Sequence, residues 1–496
     1  MNGRLAIDGP TSLSCDVLVI GTGAGGASVA TTLAEAGRDV LMLEEGPYIA
    51  ADEASPDLSE SIPAMWRGGG LTATLGGTPI AFAEGRCAGG GTEINSAIFQ
   101  AAPDSIIEFW ARSNHLPGLT SHALAPYYER AAAAVNASET SGPAGPPTIH
   151  LRQAGEAMGW RVSPLARARR DGPARRHRSS GMADGIKQSM TMTLLPRALS
   201  VGARLIARCR VDRLVRQGRR VTRVEASVTA NSGQRHRLTI SAGTVFVCAG
   251  TTQTPALLQR SGLGRNAGRI FQLHPTVRAL ARFAEPVDAH RHHLPLVAVT
   301  EFSPDLRLGG SVFTLATYGL GIAEDWAMRG RLLPDYRHFA MYYAMIRPDG
   351  VGRIRAIPGL AEPVVSYSLT ERDWRRLAIG LERLSRALLV AGATHVIPSI
   401  REHPGWAGLD DLARNPVANL PQKRTALMTI HLFSSCPMGG NEAFFPIDPA
   451  GRLRGADNVY VADASVLPGA PGVNPQATIM AFAFRIADEF LASTPH

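Results

Sequence analysis

Three glycines near the N-terminus have the spacing of a site that binds the phosphates of a dinucleotide. They form Gly21-x-Gly23-x-x-Gly26. The first allows a tight turn, the second lets the backbone approach a pyrophosphate, and the third lets a helix and a strand pack closely. Glu44 follows 18 residues after Gly26, close to the roughly 20 at which a carboxylate binds the adenosine ribose. The pattern predicts dinucleotide binding and leaves a nicotinamide and a flavin both open.

The segments around these glycines predict a strand, a helix and a second strand. Val17–Ile20 is an unbroken apolar run, typical of a strand buried on both faces of a parallel sheet. Residues 27–36 are good helix formers that end at Gly37, and Asp39-Val-Leu-Met-Leu43 indicates a second strand that leads into Glu44. The free N–H groups and positive dipole end of that helix would face the phosphates. This unit predicts an α/β fold.

Length and composition indicate a globular protein with two or three domains, or one large core with an inserted layer. The chain has 496 residues, of which 45% are hydrophobic and 19% charged, and a net charge of +9. The basic excess is mostly arginine spread along the chain, so we favour attraction for an anionic cofactor over nucleic-acid binding. No apolar stretch approaches 18 residues and the N-terminus lacks a signal-peptide core, which predicts no membrane span. The five cysteines, an odd number without metal-like spacing, fit a reduced cytoplasmic protein.

A second glycine cluster lies in the segment 84–95. Gly89, Gly90 and Gly91 precede Thr92 and let the backbone approach a ligand without interference from Cβ atoms, while Asn95 adds an amide that both donates and accepts. Together the two motifs resemble the glucose–methanol–choline (GMC) family of FAD-dependent oxidoreductases.

The resemblance implies that this second cluster wraps the flavin end of FAD. Ile94 stands where some members carry a histidine bonded to the flavin, so the resemblance implies non-covalent FAD. The strand-like run Thr244–Cys248 and the Ala249-Gly250 turn after it resemble a further family signature. The residues that the resemblance assigns to FAD are Gly21, Gly23, Ala24, Gly25, Gly26, Glu44, Glu45, Arg86, Gly89, Gly90, Thr92, Asn95, Val211, Ala249, Gly250, Asp463, Ala464, Asn474, Pro475 and Thr478.

Residues 431–480 resemble the C-terminal signature of the family, which implies that His431 and Asn474 face the flavin. Oxidising an alcohol removes a hydroxyl proton and a hydride from one carbon. Histidine accepts a proton near neutral pH without a large pKa shift, and an amide beside it orients the hydroxyl without competing as a base. The resemblance therefore makes His431 the base, with hydride transfer to flavin N5. Ser435-Cys436-Pro437 departs from the commoner family sequence, so the surroundings of His431 are open.

Residues 271–430 change character and predict an antiparallel substrate domain. We expect strands at His293–Phe302, Ser311–Tyr318, Ala340–Arg347 and Gly352–Arg355 and a helix at Glu371–Ala391. Of the aromatic residues there, Tyr318, Trp326, Tyr342 and Tyr343 are candidates for a pocket wall, although more of them should be core. His274, His290, His292 and His293 lack acidic or cysteine partners at ligand spacing, so no metal site is predicted.

Two segments are less informative. Residues 46–84 are glycine- and proline-rich and could be a lid over the cofactor or a surface connection. Residues 137–185 contain Arg167-Ala-Arg-Arg170 and Arg175-Arg-His-Arg178; without aromatic residues between the arginines, a solvated loop is favoured over a phosphate-binding patch.

The expected architecture is α/β (α+β overall), with a Rossmann-like FAD domain and an antiparallel substrate domain. The expected division is 1–185 and 186–270 for two parts of the FAD domain, 271–430 for the substrate domain and 431–496 for the part that carries the His/Asn pair. The expected activity is oxidation of a primary or secondary alcohol (a sugar, sterol, aryl or long-chain alcohol, or natural-product hydroxyl), with O2 or another electron acceptor. The alternatives are a lyase or decarboxylase on the same scaffold, a flavin-binding protein without turnover and, weakest, a nicotinamide enzyme.

Overall fold

The computed structural model describes residues 3–50, 53, 55, 57–70, 72–139, 144–170, 187–292 and 296–494. The helices are α1 (Ala24–Glu35), α2 (Leu58–Met65), α3 (Gly91–Ile94), α4 (Asp104–Ser113), α5 (Ser121–Ala134), α6 (Pro146–Ala157), α7 (Leu194–Ser200), α8 (Gln253–Arg260), α9 (Leu315–Ala323), α10 (Trp326–Arg329), α11 (Glu371–Val390), α12 (Leu409–Arg414) and α13 (Gln476–Ser493).

The strands alternate with these helices in the first part of the chain and cluster in its second part. They are β1 (Thr11–Ile20), β2 (Val40–Leu43), β3 (Thr72–Ala73), β4 (Ile80–Phe82), β5 (Ala137–Glu139), β6 (Val162–Pro164), β7 (Ala166–Ala168), β8 (Arg204–Ile206), β9 (Cys209–Gln217), β10 (Arg220–Thr229), β11 (Arg235–Val247), β12 (Gln272–Leu273), β13 (Thr276–Phe283), β14 (Val297–Val299), β15 (Leu306–Gly310), β16 (Phe339–Ile346), β17 (Gly352–Arg355), β18 (Val364–Tyr367), β19 (Ala393–Pro398), β20 (Leu427–Thr429), β21 (Leu432–Phe433) and β22 (Val459–Val461).

The first sheet is parallel at its centre, as the buried apolar runs predict. Its order is β8-β2-β1-β11-β10-β9, and β22 pairs with the second half of β11. The strands β8, β2, β1, β11 and β22 run parallel, whereas β10 and β9 extend the sheet as an antiparallel hairpin. Val17, Leu18 and Val19 are fully buried. The helix α1 starts from the glycine turn after β1 and packs against α13 and α7, so the N-terminal and C-terminal segments meet beside the turn.

The second sheet is largely antiparallel and confirms the second part of the expected architecture. Its order is β3-β4-β20-β13-β16-β15-β14-β6, with β19 also paired to β13. The long helix α11 packs against β16, β19 and β13, and its capping box of Thr370 and Asp373 fixes where it begins. The sheet takes β3, β4 and β6 from before residue 186. The division into four sequence segments stays a prediction.

The strand predicted at Ser311–Tyr318 is wrong. The strand β15 ends at Gly310, and α9 begins at Leu315. Thr314 caps α9, because its hydroxyl accepts from the backbone N–H of Thr317 and its own N–H donates to the Thr317 hydroxyl. These two hydrogen bonds outweigh the β propensity of the threonines and the tyrosine.

The basic segment is not a solvated loop throughout, which corrects that prediction. It contains α6 and the short strands β6 and β7. Arg167 is buried, and its guanidinium donates twice to the carbonyl of Ser96, at 2.7 and 3.1 Å. The second arginine cluster, residues 175–178, lies outside the described residues, as does His293. Within the described ranges, no helix is long and apolar enough to cross a membrane.

Candidate active site

A cavity of about 230 Å3 runs from the glycine turn after β1 to the segments around His431 and Asn474. It collects most of the residues expected to hold a cofactor. Those that line it are Gly21, Gly23, Ala24, Gly25, Glu44, Glu45, Gly90, Thr92, Asn95, Val211, Ala249, Gly250, Asp463, Ala464, Asn474 and Pro475. Four others do not line it, namely Gly26, Arg86, Gly89 and Thr478.

The glycine turn is closely packed on its inner side. A Cβ atom on Gly21, whose φ is +97°, would lie 2.3 Å from the carbonyl oxygen of Cys248. A Cβ atom on Gly26 would lie 2.0 Å from the carbonyl oxygen of Gly21, so Gly26 serves helix–strand packing behind the cavity. By contrast, Gly250 and Gly91 line the cavity and have no atom within 4 Å of a Cβ position. The open space in front of them suits a ligand that lies against the backbone.

Glu44 is held at the end of β2 by three hydrogen bonds. Its carboxylate accepts from the backbone N–H of Thr22 at 3.1 Å, from the Thr22 hydroxyl at 2.7 Å and from the backbone N–H of Gly46 at 2.9 Å. Burial raises the pKa of this carboxyl above its ordinary value even though these donors act in the opposite direction. Of the roughly four lone-pair sites of a carboxylate, one then remains to accept from a ribose hydroxyl.

Asp463, which the sequence assigns to the cofactor, lines the cavity and is also bound by donors of the protein. Its carboxylate accepts from the backbone N–H of Gly250 at 2.8 Å, from the Thr254 hydroxyl at 2.6 Å and from the N–H and hydroxyl of Ser465. Protein donors thus occupy this carboxylate. It ties the end of β22 to the turn before α8 and so shapes the cavity wall.

The second glycine cluster is fixed from behind by buried polar groups. Asn95 donates to the Gln476 side chain at 2.7 Å, and Thr92 donates to the carbonyl of Gly89 at 2.7 Å. The buried ammonium of Lys187 donates to the carbonyls of Glu93 and Asn95 at 2.7 and 2.6 Å. Burial lowers the pKa of Lys187 to about 7. These contacts hold the cluster against the cavity.

His431 and Asn474 meet at the far end of the cavity. The Nε2 atom of His431 lies 2.9 Å from the Asn474 amide, and both residues are buried. Asn474 lies two residues before the first residue of α13, and His431 lies between β20 and β21. The antiparallel pairing of β12 with β21 sets Leu273 opposite Leu432, so the next pair in the same register is His274 with His431.

The hydrogen bonds of His274 fix the proton positions of this histidine pair. The backbone N–H of Gly472 donates to His274 Nε2 at 3.1 Å, so the neutral ring of His274 carries its proton on Nδ1. That atom lies 3.2 Å from His431 Nδ1, which must accept the hydrogen bond. The neutral ring of His431 therefore carries its proton on Nε2. Turning the Asn474 amide brings its oxygen, otherwise buried without a partner, to that N–H.

Burial keeps both rings neutral. It lowers the pKa of His431 to about 3, and the nearby Arg307 charge acts in the same direction. It also holds the pKa of His274 well below its ordinary value, with a further lowering from the neighbouring His431. Arg307 is itself 3% exposed, and its Nε and Nη2 atoms have no hydrogen-bond partner. The pair therefore sits in a buried environment beside a positive charge.

A second cavity of about 180 Å3 adjoins the first. The two share Ser96, Ile98, Ile430, His431 and Asn474. The second cavity lies against the face of the antiparallel sheet that carries Thr276, Met345 and Met428, which occupy paired positions on β13, β16 and β20. The His431–Asn474 pair stands where the two cavities join.

Of the four aromatic residues predicted as candidates for a pocket wall, one lines one of these two cavities and three do not. Tyr343 lines the second cavity. Tyr318 and Tyr342 are fully buried core residues, and the side chain of Trp326 is 61% exposed. Among the described residues, no group of three acidic, histidine or cysteine side chains has the geometry to hold a metal ion.

Several site residues escape sequence reasoning. His274 is assessed there only as a metal ligand, and its contact with His431 follows from strand register across 157 positions. Arg67 lines the first cavity. Its guanidinium forms salt bridges with Glu45 at 2.8 Å and with Glu362 at 3.0 Å. Lys187 is likewise buried only because of tertiary packing. The only sequence feature that could have pointed to Arg67 as a site residue is its position directly before the glycines 68–70.

Comparison with known proteins gives a consistent result. Sequence models described as GMC oxidoreductase match residues 62–276 and 348–483. An uncharacterized GMC-type oxidoreductase of Sinorhizobium fredii is 50% identical over 99% of this chain and 97% of its own. A long-chain-alcohol oxidase of Arabidopsis thaliana is 28% identical over 96% of this chain and 66% of its own. The crystal structure of pyridoxine 4-oxidase from Mesorbium loti has a TM-score of 0.72 at 20% identity, covers 97% of this chain and 100% of its own, and shows a shared fold.

Proposed function

The chain belongs to the GMC oxidoreductase family, and from this premise we propose that it oxidises an alcohol to the corresponding carbonyl compound with FAD. One observation carries the proposal: His431 and Asn474, 2.9 Å apart, stand at the junction of a glycine-lined cavity and a second cavity. A base and an amide at such a junction can face a substrate on one side and a cofactor on the other.

The lining of the first cavity offers the backbone donors and the carboxylate that FAD requires. Gly23 and Gly25 with the start of α1 would face the pyrophosphate, and Glu44 would bind the ribose. The turn at Gly90–Thr92 would lie against the flavin. Ile94 offers no nucleophile and lines the second cavity, which supports non-covalent attachment. When bound, FAD supplies the acceptor for the hydride that leaves the alcohol carbon.

We propose that His431 holds the hydroxyl proton at Nε2 while Asn474 orients the hydroxyl oxygen. In the unliganded hydrogen-bond arrangement Nε2 already carries a proton, so the ring must first take its other tautomer. That change moves the His431 proton to Nδ1 and requires Nδ1 of His274 to become the acceptor. The neutral ring of His274 then carries its proton on Nε2. That N–H would point at the backbone N–H of Gly472, so the peptide of Gly472 must turn away. Alcohol binding at Nε2 would stabilise the new arrangement.

The low pKa of His431 makes the neutral form available throughout the physiological range. It also makes His431 a weak resting base, so proton acceptance needs stabilisation that develops with the reaction. O2 or another oxidant is the proposed final electron acceptor.

The test is an anaerobic visible spectrum of the purified, FAD-loaded protein against a panel of alcohols and sugars, followed by admission of air. Bleaching by one alcohol and recovery in air supports an alcohol oxidase, whereas bleaching that persists in air supports a dehydrogenase with a separate acceptor. A protein that binds no flavin after addition of FAD contradicts the proposal. Product formation without flavin bleaching and without an oxidant would indicate a lyase instead.

A further inference from the structure

We propose that the alcohol is an uncharged aryl alcohol, a single aromatic ring that carries a hydroxymethyl group. This inference rests on the proposed alcohol oxidation and names its substrate class. It is drawn from the second cavity, which adjoins His431 and Asn474 on the side of the antiparallel sheet.

The size of the cavity limits what it encloses. Its volume is about 180 Å3, and an apolar protein cavity of about 150 Å3 encloses one benzene ring. One ring with its hydroxymethyl group therefore fills the space. A sterol or an extended alkyl chain would have to leave most of its length outside.

The wall of the cavity is apolar and adaptable. Its apolar side chains are Leu58, Met65, Trp66, Ile94, Ile98, Val312, Met341, Tyr343, Met345, Met428 and Ile430. Four of them are methionines, whose thioethers make favourable contacts with aromatic rings and fill irregular space. Trp66 and Tyr343 add ring surfaces for offset or edge-to-face packing.

Three of the seven hydroxyl groups on the described residues of the wall donate to protein carbonyls. Thr276 donates to the carbonyl of His274 at 3.2 Å, Thr317 to that of Val312 at 3.2 Å, and Thr429 to that of His431 at 3.2 Å. The hydroxyls of Ser61, Ser96, Ser311 and Tyr343 remain. Among the described residues of the wall Asn474 supplies the only side-chain amide, and none supplies a carboxylate. A sugar, whose many hydroxyls each donate and accept, would therefore find too few partners for all of them.

The charge on the wall of the cavity is paired within the protein. Among the described residues of the wall, Arg278 is the one side chain with a full charge, and its guanidinium pairs with Glu324. Glu324 also lies 3.5 Å from Arg329. A substrate carboxylate would find the one lining cation already paired, and a substrate ammonium would find no carboxylate among the described residues of the wall. Charged alcohols are therefore disfavoured on both counts.

The test compares rates of anaerobic flavin reduction by the FAD-loaded enzyme with benzyl alcohol, 4-carboxybenzyl alcohol, glucose and 1-dodecanol. We expect benzyl alcohol to have a second-order rate constant roughly 100-fold or more above that of each other compound. Glucose and the carboxylate carry polar groups that the cavity leaves unpaired, and the alkyl chain of dodecanol extends beyond the cavity. An equal or faster reaction with glucose, dodecanol or the carboxylate overturns the inference and leaves alcohol oxidation standing. Failure of every alcohol to reduce the flavin overturns the proposed function and the inference with it.

A series of variants tests whether the second cavity is the one that selects the substrate. Met428→Ala enlarges it, and we expect the ratio of rate constants for 2-naphthylmethanol over benzyl alcohol to rise roughly tenfold. Met341→Ala, on strand β16, which lies beyond β13 in the same sheet, should act in the same direction and guards against failure of one variant to fold. Met328→Ala is the matched control, because Met328 is 37% exposed and does not line the cavity. An unchanged ratio in both folded cavity variants contradicts the assignment.

Discussion

The rings of His274 and His431 face each other through their Nδ1 atoms, 3.2 Å apart, and a backbone N–H decides which ring carries the shared proton. Gly472 donates to the far nitrogen of His274, so His274 is the donor and His431 the acceptor. The same strand register that pairs β12 with β21 sets the two rings opposite one another. The tautomer of the residue proposed as base is therefore a consequence of main-chain geometry, and it can be changed by altering His274.

Replacement of His274 by glutamate should change the pH dependence of flavin reduction. In the parent enzyme the pKa of His431 is about 3, so its ionisation leaves the rate flat between about pH 5 and 8. A carboxylate at position 274 accepts from Nδ1 of His431 and favours the imidazolium, which raises the pKa of His431. The rate should then fall as the pH decreases through the raised value. Stopped-flow reduction under anaerobic conditions across this range measures the effect.

The control for this experiment is His274→Gln. A glutamine can accept from the N–H of Gly472 and donate to Nδ1 of His431, so its profile should stay flat. A fall toward acid pH in the glutamine variant as well, or in neither variant, would contradict the assigned hydrogen bonds.

Removal of the proposed base should separate chemistry from cofactor binding. We expect His431→Ala to keep bound FAD and to lose roughly 10²–10⁴-fold in flavin reduction, the usual contribution of a positioned proton acceptor. Asn474→Ala should cost roughly 10²-fold through loss of orientation. Flavin absorbance of the purified variants measures the first property and anaerobic reduction the second. Full activity in His431→Ala would remove this residue from the mechanism.

Burial of neutral His431 should also be visible in acid stability. Its pKa in the folded protein is about 3, below the ordinary value of 6.5, so between these values the unfolded chain binds a proton that the folded chain does not. The free energy of unfolding therefore decreases as the pH falls from 6.5 toward 3, at up to about 1.4 kcal/mol per pH unit for this group, and this contribution is fully present above pH 6.5.

The measurement is the urea unfolding midpoint of the FAD-loaded protein between pH 4.5 and 7. Buried carboxyls with raised pKa values, such as Glu84, act in the opposite direction, so the comparison must be between parent and variant. His431→Asn should show a shallower decrease toward acid pH than the parent. Identical slopes would mean that His431 is protonated in the folded state.

Much of the fold could be predicted because local pattern and tertiary structure agree. The apolar run Val17–Ile20, the glycine turn and the helix after it form one βα unit whose parts specify each other. The long helix α11 carries its own capping box and an apolar face. At Ser311–Tyr318 the two levels disagree, since threonines that favour a strand also cap a helix, and their hydrogen bonds decide the outcome.

Residues of the candidate site could be predicted from the sequence only where they belong to a recognisable motif. His431 and Asn474 lie in segments that resemble a family signature, whereas His274 and Arg307 come to the pair through strand pairing between distant segments. Arg167 looks like a surface arginine in sequence, but it is buried against the carbonyl of Ser96. Burial of a charged residue depends on which distant backbone carbonyls surround it, and no local spacing encodes that.

Glu44 should contribute strongly to affinity for FAD. In Glu44→Gln one of the two carboxylate oxygens becomes an NH2 group, which then faces either the donors of Thr22 or the N–H of Gly46. We expect the dissociation constant of FAD to rise roughly tenfold or more, since a buried donor loses its acceptor. Titration of the apoprotein with FAD by flavin fluorescence measures it. The control Asp39→Asn alters an exposed carboxylate at the start of β2 and should change nothing; equal affinity in both variants would contradict the assignment.

The loop that carries Glu362 should slow the release of FAD. Glu362 accepts from Arg67 at 3.0 Å and from Gln253 at 2.9 Å, and the carbonyl of Ala361 accepts from Arg210. All three donors line the first cavity, so this loop is fastened across its rim. Glu362→Ala should raise the dissociation rate of FAD roughly three- to tenfold, the range expected for loss of one partly exposed ionic contact.

Displacement of bound FAD into an excess of a flavin scavenger gives this rate directly. Glu402→Ala is the matched control, because Glu402 forms an exposed pair with Arg424 at 2.8 Å and does not line the cavity. High salt should raise the rate in the parent enzyme and have less effect in Glu362→Ala, since the screened contact is already absent. The rate of flavin reduction should stay at the parent value, because Glu362 contacts neither His431 nor Asn474. A dissociation rate unchanged from the parent would mean that the rim contacts do not retain the cofactor.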